Sequence, residues 1–238
     1  MPADVAFRID LLHGRCVGVR VPAGSEQNRL QALELGLASL AEEERAFIET
    51  LSPIRQPSWL AGRLALHEAL RDLGLDHGPI LTTTRGAPEL PDGAIGSISH
   101  KQTLAVGLAC PRQDDLHIGV DIEPVPPLPT EPGWSKRPDI SSRVLTPDEL
   151  AALGTVPEPE RRRQVVLCFS LKEAIYKAIN PLVGRYVSFQ EAAVVPAPDG
   201  SVSVTLALKQ QEGPFVAEAS WLEISGHLLT TACVRATK

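Results

Sequence analysis

The chain has 238 residues, 43% hydrophobic and 22% charged, with a net charge of −6. That composition is ordinary for a globular protein, and its acidic balance speaks against a nucleic-acid surface, which needs positive charge. No apolar run approaches the roughly 20 residues that span a bilayer. The opening MPADVAFRID also lacks the basic-then-apolar order of a signal peptide. A cytoplasmic protein without membrane association is the expectation. The four cysteines, Cys16, Cys110, Cys168 and Cys233, lie far apart and show no zinc-ligand spacing.

Alternating apolar residues predict strands over residues 5–12 and 17–21. Ser39 with Glu42 reads as a capping box before the helix AEEERAFIETL. Pro57 suits the first turn of a second helix over about 58–73, which Gly74 ends. Further strands are predicted over 80–84, 104–109 and 118–122. Thr146-Pro147-Asp148-Glu149 is a helix start with N-cap, proline at N1 and Glu at N3. A fourth helix is predicted over about 162–179, stopping before Pro181. A turn at Pro198-Asp199-Gly200 leads into SVSVTLAL, where Val202, Val204, Leu206 and Leu208 share one face of an antiparallel strand, and a last strand covers 228–234. This order is an α+β pattern. The polar segment 111–116 marks the boundary between an N-terminal half, 1–113, and a C-terminal half, 114–238. The proline-rich stretch PVPPLPTEPGW, 124–134, is expected as an exposed loop.

Within IGVDIEP, a strand sends Asp121 and Glu123 to one face and Val120 and Ile122 to the other. Paired carboxylates suit a hard cation such as Mg²⁺, although the spacing alone equally fits a solvated strand edge. In FSLKEAIYKAI, Cys168, Leu171, Ile175 and Ala178 form an apolar helical stripe. Ser170, Glu173 and Lys177 fall on roughly the opposite face, with Lys172 on a flank. Glu173 there is a candidate third metal ligand, with Lys172 and Lys177 placed for phosphate oxygens. A surface Glu–Lys pair explains the same spacing.

The motifs occur together and in order. Gly119-Val120-Asp121-Ile122-Glu123 is followed by Phe169-Ser170-Leu171-Lys172-Glu173-Ala174-Ile175-Tyr176-Lys177. Upstream stand Gly96-Ser97-Ile98-Ser99-His100, Arg85-Gly86-Ala87-Pro88 and Ala61-Gly62-Arg63-Leu64-Ala65. Jointly they resemble the 4′-phosphopantetheinyl transferase superfamily, of the Sfp type and its siderophore-synthase branch. The likeness covers about 55–193. Ala87 stands where many members place lysine, and Arg85 is expected to supply that charge.

The resemblance implies two similar α+β halves related by pseudo-twofold symmetry, with coenzyme A in the cleft between them. It implies transfer of phosphopantetheine from coenzyme A to a serine of an apo acyl or peptidyl carrier, with release of 3′,5′-ADP. Those carriers belong to polyketide, peptide or fatty-acid synthases, and the enzyme is expected as a monomer. Asp121, Glu123 and Glu173 would hold Mg²⁺. Arg55, Arg63, Arg85, Ser99, His100, Lys172 and Lys177 would bind coenzyme A, and Glu173 would take the serine proton, with Lys172 beside it in the catalytic group. The loop 124–134 is a candidate carrier contact, and Arg161-Arg162-Arg163 could steer an acidic carrier or be a charged helix start. Two other readings are a non-catalytic coenzyme A sensor and a metal-dependent phosphohydrolase.

Overall fold

The computed structural model describes residues 3–76, 78–131 and 138–237. They divide into two compact units. One holds the described residues up to Asp114 together with Ile118–Ile122; the other holds Asp115–His117 and the described residues from Glu123 onward.

In the first unit, β1 (Val5–Leu11) and β2 (Gly14–Arg20) form a hairpin, and α1 (Glu26–Leu37), α2 (Glu42–Glu49) and α3 (Gln56–Asp72) follow. The short strands β3 (Leu81–Thr82) and β4 (Pro88–Glu89) pair with each other; β5 (Ala94–His100) and β6 (Leu104–Pro111) complete an antiparallel sheet of order β1-β2-β6-β5. Helix α3 lies across β6, β2 and β5. Its small residues Ala61, Ala65 and Ala69, with Leu66 and Leu70, meet Val17, Val19, Ala105 and Ala109 in the core. The approach is close at Gly107, where a Cβ would sit 2.3 Å from the backbone nitrogen of Leu66. A side chain there would push the helix off the sheet.

Three features of this unit differ from expectation. Helix α1 has no apolar period to announce it; Ser25 caps it by accepting from the Asn28 N–H at 3.3 Å. It is held to the rest by Leu33 and Leu37 against Leu40, Ile48 and Leu60. Helix α2 begins at Glu42 with Ala41 as N-cap, so Ser39 is not the cap. The capping acid is Glu44, whose carboxylate accepts from the Ala41 N–H at 3.2 Å. Strand β5 is built from GSISH, whose small polar residues hide its period.

Glu44 has a second role. His67 on α3 sets Nε2 2.9 Å from Glu44 Oε1 and Nδ1 2.7 Å from Asp76 Oδ1. Burial draws the imidazolium pKa down, but the two carboxylates outweigh it and hold the pKa above its ordinary value. The raised direction means that this stabilisation is complete below the unfolded pKa, about 6.5. It is lost as pH rises through the higher folded pKa. Melting temperatures recorded from pH 6 to 9 should therefore fall more steeply for the native chain than for His67→Gln; parallel profiles would remove His67 as the cause.

The second unit takes the ends of β7 (Leu116–Pro124), at residues 116, 117, 123 and 124. It continues with the short helices α4 (Ser141–Val144) and α5 (Pro147–Ala152), then α6 (Glu160–Val183). Strands β8 (Ala192–Pro196), β9 (Ser201–Leu206), β10 (Phe215–Ile224) and β11 (His227–Ala236) follow, in a sheet of order β7-β11-β10-β9-β8. The turn at Asp199-Gly200 joins antiparallel β8 and β9, and Val202, Val204, Leu206 and Leu208 pack inward together, as expected. Strands β8 and β10 were not anticipated: AAVVP of β8 is a short apolar run without alternation, and VAEASWLE of β10 mixes polar and small residues on both faces. Helix α6 packs across β11, β10 and β8. It runs through Pro181 to Val183 instead of stopping before it. One proline removes a single ladder donor, and the last turn is closed at Gly184 (φ +65°), whose N–H reaches Asn180 O at 2.9 Å.

Candidate active site

The serine-histidine motif occupies β5, whose period of two sends Ser97 and Ser99 to one face. Both are buried, at 4% and 6% exposure, while His100 at the strand end is exposed. Ser97 Oγ accepts from the Val120 N–H at 3.1 Å, and Ser99 Oγ donates to Asp121 Oδ1 at 2.7 Å. The two hydroxyls thus fix the backbone and side chain of neighbouring β7 residues. Val120 and Ile122 are fully buried apolar residues, and Asp121 and Glu123 are 3% and 8% exposed. The solvated-edge reading of this pair is therefore set aside. Two carboxylates withdrawn from water, two residues apart on one strand, offer the oxygen donors that a hard divalent cation takes. By that donor chemistry the residues fit Mg²⁺.

On α6 the apolar stripe of Cys168, Leu171, Ile175 and Ala178 is buried, as its spacing predicts. Glu173 and Lys177 are half-buried. Ser170 departs from expectation: it is fully buried, with Oγ 2.9 Å from Thr230 Oγ1. The reason is that α6 is covered on more than one side, by β11 as well as by α4, and one apolar stripe does not describe it.

Lys172 departs further. Its side chain is 1% exposed, and Nζ donates to Glu149 Oε2 at 2.6 Å, to Val144 O at 2.8 Å and to Phe189 O at 3.0 Å. An ammonium has three protons, and all three have acceptors here. A phosphate contact would require breaking a buried ion pair. Glu149 was legible only as an N3 capping acid, which it is, since Oε2 accepts from the Thr146 N–H at 2.6 Å. Its Oε1 also takes the Val194 N–H at 2.7 Å, so one carboxylate ties α5, α6 and β8 together.

The three arginines differ in setting. Arg55 is exposed at the N-cap of α3, and Arg85 is exposed in the turn between β3 and β4. Arg63 is only 3% exposed. Its Nη2 donates to Leu81 O at 3.1 Å and to Thr82 Oγ1, and its Cζ lies 4.8 Å from the centre of the Trp59 ring. Burial lowers its pKa to about 10, with Glu44 opposing the fall, so it stays charged at neutral pH. Thr82 and Trp59 carry no motif signal and were not identified from the sequence. Residues 132–134 of the proline-rich loop lie outside the described residues; Pro124 ends β7 and 125–131 are irregular, with Leu128 exposed. Among the described residues no helix is long and apolar enough to cross a membrane.

The profile of the 4′-phosphopantetheinyl transferase N-terminal domain matches residues 43–110, and that of the 4′-phosphopantetheinyl transferase superfamily matches 117–232. The chain is 32% identical to the 4′-phosphopantetheinyl transferase Svp of Streptomyces mobaraensis over 207 residues, 83% of this chain and 79% of the relative. It is 29% identical to the transferase PptT of Mycobacterium tuberculosis, over 67% of this chain and 66% of that one. Enterobactin synthase component D of Salmonella typhimurium is 33% identical over 54% of this chain and 50% of its own length. The chain belongs to the 4′-phosphopantetheinyl transferase superfamily, in its Sfp-type branch, and is an enzyme of that class. Nothing in these relationships supports the sensor reading.

Proposed function

We propose that this transferase moves the 4′-phosphopantetheine group of coenzyme A onto a serine hydroxyl of an apo acyl or peptidyl carrier protein, with Mg²⁺ held by Asp121, Glu123 and Glu173. The observation that carries the reading is the buried Asp121–Glu123 pair on β7, with Asp121 fixed by Ser99. When bound, the cation would neutralise charge on the pyrophosphate oxygens.

The remaining work falls to side chains. Ser99 holds the Asp121 carboxylate in one rotamer, so that the ligand set is organised before substrate arrives. Glu173 accepts the proton of the attacking serine hydroxyl, directly or through water. That proton leaves as the serine oxygen bonds to the β-phosphorus of coenzyme A, and 3′,5′-ADP departs with the electron pair of the broken P–O bond. Arg55, Arg63, Arg85, His100 and Lys177 meet the phosphates of coenzyme A, where charge-assisted hydrogen bonds are strongest. Lys172 contributes indirectly: anchored by Glu149, Val144 O and Phe189 O, it fixes the turn of α6 that carries Glu173. The segment 124–134 is proposed as part of the carrier contact, and the working unit as a monomer.

Chromatographic measurement of 3′,5′-ADP tests this reading. Release should require both apo carrier and Mg²⁺ and should match the holo-carrier formed. Release at the same rate without carrier would instead make the protein a hydrolase.

A further inference from the structure

We propose that Trp59 and Thr82 are positioning residues for Arg63, holding its guanidinium in the one orientation from which it can receive a phosphate. The proposal rests on the reading that Arg63 meets a phosphate of coenzyme A, and it lies wholly within the first unit.

Arg63 is fixed from two directions. In its plane, Nη2 donates to the carbonyl of Leu81 and the hydroxyl of Thr82, both on β3. Above the plane, the indole of Trp59, four residues earlier on α3, lies over the guanidinium at 4.8 Å. Trp59 is itself backed by Phe47 of α2, with ring centres 5.4 Å apart and planes 27° from parallel. An arginine stacked on an aromatic face and pinned at one nitrogen has lost the freedom of a surface cation.

What this fixing leaves over is informative. Nε and Nη1 are buried and have no hydrogen-bond partner among the described residues. Leaving buried donors of a charged group unsatisfied is destabilising, and folded proteins rarely do so without a functional reason. If Arg63 served only to stabilise the fold, the anchoring through one nitrogen would be expected to extend to the others. Instead the contacts restrain the group and leave Nε and Nη1 without an acceptor among the described residues although they are shielded from water, so an anion that reaches them meets donors already oriented. Nη2 belongs to both donor edges of a guanidinium, so anchoring it orients Nε and Nη1 alike. Glu44 lies near enough to act on Arg63 electrostatically, helping it to remain charged in a buried setting.

The test is a set of coenzyme A titrations and steady-state assays on Arg63→Ala, Thr82→Val, Thr82→Ser, Trp59→Leu and the double variant Arg63→Ala/Thr82→Val. Thr82→Val and Trp59→Leu should each raise Kd and KM for coenzyme A about tenfold, the effect of a contact to a charged group. Their kcat should stay within about twofold of native, because the chemistry is elsewhere. Thr82→Ser should restore native values, and Thr82→Val should add nothing in the Arg63→Ala background. Unchanged Kd for Thr82→Val alongside a raised Kd for Arg63→Ala would overturn the positioning role alone. An additive double variant would do the same. Unchanged Kd for Arg63→Ala would overturn the phosphate reading on which the proposal rests. Thr82 sits on a two-residue strand outside the core, so its variants keep the test decisive should Trp59→Leu fail to fold.

Discussion

Glu173→Gln is expected to lose at least a hundredfold in transfer rate while coenzyme A affinity stays within a few-fold of native. The substitution keeps the size of the side chain and one oxygen, but removes the negative charge and the basic site. General-base catalysis contributes about 10²–10⁴ to a rate, and a weakened cation site would add to the loss. Half-buried on α6, Glu173 is accessible to a ligand yet held by a rigid helix. Single-turnover kinetics with a calorimetric Kd separate the two quantities. Equal losses in rate and affinity would place Glu173 in ground-state binding and remove its role as base.

Lys172→Met is expected to act mainly on stability. It deletes the cation facing Glu149 and strands the carboxylate in a site where Lys172 and Glu149 side chains are 1% and 8% exposed. Breaking one side of a buried pair costs about 3–5 kcal/mol. In a chain of this size that lowers the melting temperature by about 10 °C. Adding Glu149→Gln removes the stranded charge but keeps an oxygen for only one of the Thr146 and Val194 N–H groups, which Oε2 and Oε1 accept separately, so the double variant should recover part of the loss. A native melting temperature for Lys172→Met, with a raised Kd for coenzyme A, would instead restore Lys172 to the phosphate contacts.

These two variants mark where the sequence is informative and where it is not. Local period alone decides which face Asp121, Glu123 and Glu173 take, two residues on a strand and three and four on a helix. The same logic found the buried stripe of α6 and the inward face of β9. It failed for Ser170 and Lys172, because a helix covered on several sides has no single polar face, and the partner of Lys172 stands 23 residues away. Arg63 was visible as an arginine on a helix. That its guanidinium is buried, stacked on Trp59 and tied to Thr82 depends on β3 folding back against α3, which no local pattern encodes. Strands β5, β8 and β10 and helix α1 were missed for a related reason. The residues of β5, β10 and α1 are small, polar or mixed, β8 is a five-residue apolar run without alternation, and tertiary packing rather than periodicity holds them in place.

The most direct measurement of the central claim is intact-protein mass spectrometry of an apo carrier protein incubated with this enzyme, coenzyme A and Mg²⁺. The account predicts a gain of one phosphopantetheine on the carrier, abolished by a chelator and restored by excess Mg²⁺. No gain on either acyl or peptidyl carriers, from a preparation that binds coenzyme A, would contradict it.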